Sequence, residues 1–326
     1  MTPSTLTGPK PALPRPAAGA VLRFLQRNAV AIVIVLLMIA LSSLSPSFLT
    51  ARNLLNILNQ NAPLAIMAAA MTMVVICGGF DLSVGAMFAV CGVSAAWVAV
   101  NVDPVLGLLA APVVGLALGL FNGLVVSYLS IHSFLATLAT AMVFRGIAIL
   151  VTGGTLIPVR DAAFTWLGRG TIGSVNIAIL LLVVAVGLLM VLLNGTVFGR
   201  HVYSVGGNEE ASTLSGIRTR RIRTLTFVLS GLAAGLAAAI AVSRVSMGNA
   251  GIAVGMELEV IAAVIIGGTS IYGGKGAIWR SVAGVYMLAL INNGFNILNI
   301  DPFFKEVTTG LVILAAVAIS ATARQK

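Results

Sequence analysis

The stretch Ala29–Leu41 (AVAIVIVLLMIAL) carries no polar side chain, and comparable runs recur down the chain. A bilayer core takes about 20 predominantly apolar residues to cross as a helix. Ten segments approach that pattern, at roughly 29–45, 62–78, 84–101, 105–128, 134–152, 177–194, 224–243, 258–270, 281–298 and 305–322. The run 258–270 is short for a crossing, as a broken or tilted helix would be. Between the first two, Phe48–Asn61 sets Leu54, Leu55 and Leu58 among polar residues, which predicts a short amphipathic helix lying in the interface. The expected class is an all-α polytopic membrane protein of about ten transmembrane helices. Residues 23–326 form one transmembrane domain within the lipid bilayer. Residues 1–22 hold Pro3, Pro9, Pro11, Pro14 and Pro16 and read as a disordered tail.

Composition agrees with the pattern. With 59% hydrophobic and 9% charged residues, a soluble domain would expose apolar patches it could not cover. The net charge of +10 could suggest nucleic acid, but the basic residues lie in loops between apolar runs, so no nucleic-acid partner is expected. With the N-terminus inside, inside segments hold Lys10, Arg15, Arg23, Arg27, Arg200, Arg218, Arg220, Arg221, Arg223, Lys275, Arg280, Arg324 and Lys326. Outside segments hold only Arg52, Arg160, Arg169, Arg244 and Lys305, and Arg145 falls within a span. That asymmetry places both termini in the cytoplasm. The start shows no small-residue cleavage pattern of a signal peptide. Cys77 and Cys91 sit in apolar segments without metal or redox spacing and read as buried structural thiols.

Signatures of catalysis are missing. The histidines, His132 and His201, are too far apart for an HExxH zinc site, and Gly273-Gly274-Lys275-Gly276 lacks the Walker A spacing. No catalytic residue, metal site or cofactor is expected on this chain. Active transport would then draw on an ion gradient or on a separate subunit. A stand-alone ion-coupled carrier of a small polar solute would place several carboxylates within its spans. The intramembrane charges here are few: Asp81, Arg145, and Glu257 with Glu259 at a span start.

Two short segments carry the remaining signal. In 208–216, Asn208 is a good N-cap, Glu209 and Glu210 suit the first turn, Ala211, Leu214 and Ser215 continue the helix, and Gly216 ends it. A helix of about two turns is unstable alone; it either packs on its own membrane domain or inserts into a groove of another protein. In 78–85, Gly79 and Gly85 flank Asp81 and Ser83 between apolar runs. This is either a tight turn with a solvated Asp81 or a broken helix lining a polar cavity. Arg145 is the natural partner if Asp81 is paired; otherwise it snorkels or bonds backbone carbonyls. Asn122, Asn292, Asn293 and Asn296 either join helices by hydrogen bonds or line a translocation pathway, and Asn292 and Asn296 share a helix face. Gly78-Gly79 and Asn122-Gly123 are loosely echoed by Gly267-Gly268 and Asn293-Gly294 at a different spacing.

The motifs carry a resemblance. GGFDLSVGA (78–86), GRHVYSVGGNEEASTLSGI (199–217), ELEVIAAVIIGGTSIYGGKG (257–276) and NNGFNIL (292–298) resemble, in order and spacing over about residues 45–320, the ribose/xylose/galactose-type permeases of bacterial ABC importers. Phe80 departs from the usual aliphatic residue and Glu210 from the usual alanine. The resemblance implies a permease of a binding-protein-dependent importer in the bacterial inner membrane, paired with a second copy or a similar permease. Its implied partners are a cytosolic ABC ATPase, which binds ATP and Mg, and an extracytoplasmic solute-binding protein. It also implies that Asn208–Gly216 is the ATPase-coupling helix and that sugar is the usual cargo, although relatives move autoinducer-2 or nucleosides.

Overall fold

A computed structural model of the chain describes residues 29–301 together with 303, 304, 307, 308, 310–312 and 314. The expected tail over 1–22 lies outside the described residues, as does most of the expected span 305–322. The described chain is helical: α1 (Ala29–Leu44), α2 (Ala51–Ile76), α3 (Val84–Asn101), α4 (Pro104–Tyr128), α5 (Ser133–Thr152), α6 (Ala162–Arg169), α7 (Ile177–Gly195), α8 (Val197–Gly207), α9 (Glu209–Leu214), α10 (Thr219–Val245), α11 (Met256–Ile266) and α12 (Ile278–Ile297). Two-residue strands decorate the loops. Strand β1 (Ile157–Pro158) pairs antiparallel with β4 (Met247–Gly248), and β2 (Thr171–Ile172) pairs with β3 (Val175–Asn176).

Six helices, α2, α3, α4, α5, α7 and α10, are long and apolar enough to cross a membrane. Of the ten expected spans, these six are such helices among the described residues. The expected spans at 29–45, 258–270 and 281–298 are helices, but α1 has 16 residues and α11 only 11. The third, α12, carries Arg280 and three asparagines. The interfacial helix expected over Phe48–Asn61 is corrected, because it is continuous with the span that follows it. Thr50 caps the 26-residue α2, which runs straight through Pro63. Proline has no N–H to give the carbonyl four residues back. That carbonyl belongs to Asn59, and Arg244 Nη1 supplies the missing donor at 3.0 Å.

Helix α10 is the centre of the bundle and packs on α4, α2, α3 and α6. Its tightest neighbour is α4, where Gly107, Ala111, Gly115, Gly119 and Gly123 recur every fourth residue. A Cβ on Gly115 would collide with the Gly231 carbonyl, and one on Gly231 with the Gly115 carbonyl. A Cβ on Gly119 would come within 3.0 Å of Gly231 Cα, and one on Gly123 within 2.8 Å of the Thr224 carbonyl oxygen. Small residues at such a repeat let two backbones touch, which is how helices gain packing energy where lipid is as apolar as leucine.

One segment inside the bundle is not helical. After β4 the chain runs back along α3. A Cβ on Gly248 would lie 2.6 Å from Ala96 Cβ, whereas one on Gly85 would lie 2.8 Å from the Ala253 carbonyl oxygen. Eleven residues of α3 separate those contacts, about 16 Å at the helical rise. Residues 249–255 are therefore irregular backbone at membrane depth, and α11 starts there. Such backbone must be satisfied internally. Arg145 Nη1 does this for the carbonyls of Ala250 at 2.9 Å and Ile252 at 2.7 Å.

The seam makes a contrast between glycines. Gly119→Val should destabilise the purified protein by about 1–3 kcal/mol, as overpacking does. Gly146→Ala, with no atom near the added methyl, should leave stability unchanged or raise it by about 0.5–1 kcal/mol. Thermal unfolding in nanodiscs checks both.

Candidate functional site

The turn between α2 and α3 is closed by backbone bonds from Gly78 N–H to the Val75 carbonyl (3.0 Å) and from Gly79 N–H to that of Val74 (2.9 Å), with Gly78 at φ +85°. This left-handed closure is where glycine is favoured. Helix α11 ends alike: Gly268 N–H reaches the Ile265 carbonyl at 2.8 Å and Thr269 N–H that of Val264 at 3.2 Å, with Gly268 at φ +84°. The echo between the two glycine pairs is thus a shared helix ending. Asn122 and Asn293, the other half of that echo, have unrelated partners.

Neighbouring helices pin the rest of the turn. Phe80 N–H donates to Ser133 Oγ at 3.0 Å and Leu82 N–H to Thr137 Oγ1 at 3.0 Å, two hydroxyls one turn apart on α5. Asp81 is fully buried, which removes the reading of a solvated acid. Its Oδ1 accepts from Ser83 Oγ at 2.6 Å and Ser83 N–H at 3.1 Å, and its Oδ2 accepts from Ser230 Oγ at 2.9 Å. Asn122 Nδ2 in turn donates to Ser83 Oγ at 2.6 Å. The node ties α4, α10 and the turn together through hydroxyls and one amide. Among the described residues Asp81 makes no salt bridge. The pairing with Arg145 is not formed; Arg145 takes the alternative of backbone carbonyls. Gly79 packs near Val74, Phe227 and Ser133, and Gly85 abuts Glu257 and the Ala253 carbonyl.

The later asparagines do not gather at this node. Asn293 and Asn53 exchange two side-chain bonds of 3.0 and 3.1 Å that pin α12 to α2. Asn292 is half-buried, its Oδ1 without a partner among the described residues, and Asn296 is exposed.

At the far end of α10 the short α9 forms as its residues require. Asn208 Oδ1 accepts from Ala211 N–H at 2.9 Å, Glu209 and Glu210 occupy the first turn, and Gly216 at φ +82° ends the helix. One face is packed, with Ser212 buried, and Arg223 of α10 holds Glu209 in an ion pair at 2.5 Å. The other face projects: Glu210, Ala211 and Ser215 are exposed, and Leu214 is 83% exposed. Helix α8 leads into α9 and packs against two glycine turns. Gly206 touches the Ile76 carbonyl, Gly274 N–H bonds that carbonyl at 2.8 Å, and Tyr203 Oη donates to the Gly276 carbonyl at 2.9 Å. Burial pushes the Tyr203 phenol up, keeping it a donor.

Sequence reasoning singled out Asp81, Ser83 and Asn122 separately and missed Ser133, Thr137 and Ser230. Each is a hydroxyl in or beside an apolar run, and that was the available signal.

Six membrane-length helices around a buried polar node, with a short projecting helix at one end, make this a multi-pass membrane protein. The chain belongs to the family described as "Branched-chain amino acid transport system / permease component", whose profile matches residues 53–317. It is similar to the ribose import permease protein RbsC of Bacillus subtilis, 39% identical over 287 residues, 87% of this chain and 89% of that protein. The ribose import permease protein RbsC of Escherichia coli K12 is 36% identical, covering 90% of this chain and 92% of its own. The L-arabinose transport system permease protein AraH of the same strain is 36% identical, covering 88% of each. No solved structure matches.

The node predicts a pattern of coupling. In double-mutant cycles read by thermal unfolding, Asp81→Ala with Ser230→Ala should couple by about 0.5–3 kcal/mol. Asp81→Asn with Arg145→Gln should add within about 0.5 kcal/mol. Coupling of the second pair and additivity of the first would contradict the arrangement.

Proposed function

We propose that this chain is the membrane subunit of an ATP-driven, binding-protein-dependent importer of a monosaccharide. The observation that carries the reading is α9: a capped helix of six residues, tied to the central α10 on one face and presenting Leu214 on the other. So short a helix with an exposed apolar side chain suits insertion into a groove on another protein. The proposed groove belongs to a cytosolic ABC ATPase, which holds ATP and Mg and supplies the energy this chain has no motif to supply. A solute-binding protein delivers cargo at the opposite face, and a second permease copy completes the pore. The similarity to ribose and L-arabinose permeases favours a sugar, and the sparse intramembrane charge suits a neutral polyol.

In this reading ten segments cross a bacterial inner membrane. The six long helices are joined by α1, α11 and α12; the tenth expected segment, 305–322, lies mostly outside the described residues; and both termini are cytoplasmic. When the ATPases close, α9 moves with them. Arg223 passes that displacement to α10, and α8 passes it to the glycine turns at Gly78 and Gly273. Asp81, Ser83 and Asn122 lie on the elements that shift, with Gly79 and Gly85 as close-packed ends of the turn; Asn292 and Asn296 stay candidates for the pathway wall. The alternative, an ion-coupled carrier, would need a relay of acids, and Asp81 is bonded to serines instead.

Two experiments test this. Replacing Glu209 and Glu210 by Lys opposes the helix dipole by about 0.3–1 kcal/mol per charge and breaks the pair with Arg223. Uptake and ATPase co-purification should both be lost, with normal membrane insertion; retention of both would remove the coupling role. For orientation, Ser215→Cys should react with an impermeant thiol reagent only from the cytoplasm and Thr155→Cys only from outside. Labelling of both from one side would overturn the topology.

A further inference from the structure

We propose that the polar cavity beside the first turns of α2 is a low-affinity arrival site for a neutral aldose, the first place on this chain that cargo touches after leaving its binding protein. This rests on the cargo class and orientation proposed above and adds a location and a set of recognising groups. The cavity measures about 570 Å³, within the range of about 300–1,000 Å³ usual for small-molecule sites. It lies at one end of the bundle, between the start of α2, the start of α7 and the end of α12, with Arg52, Asn53, Asn56, Asn59 and Asn176 in its wall. Under the proposed topology that end faces outward.

The chemistry of the wall selects the ligand. Asn53 is already committed to Asn293 and to the Phe48 carbonyl. Besides Ser47 and Thr50, which also line the cavity, Arg52, Asn56, Asn59 and Asn176 keep capacity to spare. Asn56 uses its oxygen for Gln60 at 3.0 Å and, among the described residues, leaves its NH₂ uncommitted. Asn59 Oδ1 is buried with no hydrogen-bond partner among the described residues. Asn176 occupies the N-cap of α7 yet makes no side-chain cap bond, although capping is what an asparagine there ordinarily does. Arg52 makes no ion pair among the described residues. Amides that offer both donors and acceptors match hydroxyls, which do the same. Among the described residues the wall contains no carboxylate for an ammonium group, which disfavours an amino acid. Among the same residues it holds a single cation, which disfavours a phosphate-bearing lipid headgroup. The second cavity, about 290 Å³ between α7 and α10, is walled by leucine, valine, alanine, isoleucine and proline and offers a sugar nothing to bond.

The test uses the full chain in nanodiscs and saturation-transfer difference NMR with D-ribose, L-arabinose and L-leucine as probes, followed by uptake in proteoliposomes of the assembled importer. Wild type should show a signal for at least one aldose and none for leucine. Asn56→Leu with Asn176→Leu should lower that signal at least tenfold, and the milder Arg52→Gln at least threefold, each with unchanged thermal unfolding. In uptake, the KM for loaded binding protein should rise about tenfold while the maximal rate stays within twofold. Variants matching wild type in signal and KM, while wild type imports an aldose normally, would overturn this site and leave the importer reading standing. A signal for leucine, or displacement of the aldose by anionic lipid, would likewise overturn it. Failure of the assembled wild type to import either aldose would instead strike the proposed cargo itself.

Discussion

The carbonyl of Gly231 on α10 fills the space that a side chain at Gly115 would need, and the carbonyl of Gly115 does the same for Gly231. Backbone against backbone fixes the register of α4 on α10 with no rotamer freedom to absorb an error. That register sets the polar node. Asn122 sits one residue before Gly123 and Ser230 one before Gly231, so closing the seam carries both side chains to the same turn. Two helical turns before Ser230, the same helix holds Arg223 and through it α9. One close contact between two helices therefore locates both the buried acid and the exposed short helix α9. Loosening it would disturb both together.

What could be read in advance follows from how local each feature is. The apolar runs located the helices because each hydrogen-bonds within itself. Asn208, Glu209 and Gly216 placed α9 to within a residue or two, since caps act within a turn. The ending at Gly78 was legible for the same reason. Features that depend on which helices meet were not. Thr50 and the guanidinium of Arg244 let α2 continue through Pro63, and Arg244 lies 185 residues from the carbonyl it serves. Asp81 read equally well as solvated or as part of a broken helix, since its environment is set by Ser230, 149 residues away. The fourfold glycine repeat on α4 was visible in the sequence, but its partner on α10 is defined only by the packing.

Arginine on this chain repeatedly serves backbone rather than acids. Arg145 holds the carbonyls of Ala250 and Ile252, Arg244 that of Asn59, and Arg169 Nε that of Arg244 at 2.7 Å. At Arg145 the arrangement resolves two costs at once. A guanidinium within a span needs acceptors, and an irregular segment at that depth needs donors.

Residues 249–255 have an electrical consequence as well. A row of carbonyl oxygens crossing part of the hydrocarbon is the kind of lining along which cations travel when it is left bare. Here the guanidinium of Arg145 occupies two of those oxygens, and the carboxylate of Glu257 lies close enough to interact with it. A cation entering that stretch would find the carbonyls of Ala250 and Ile252 already taken.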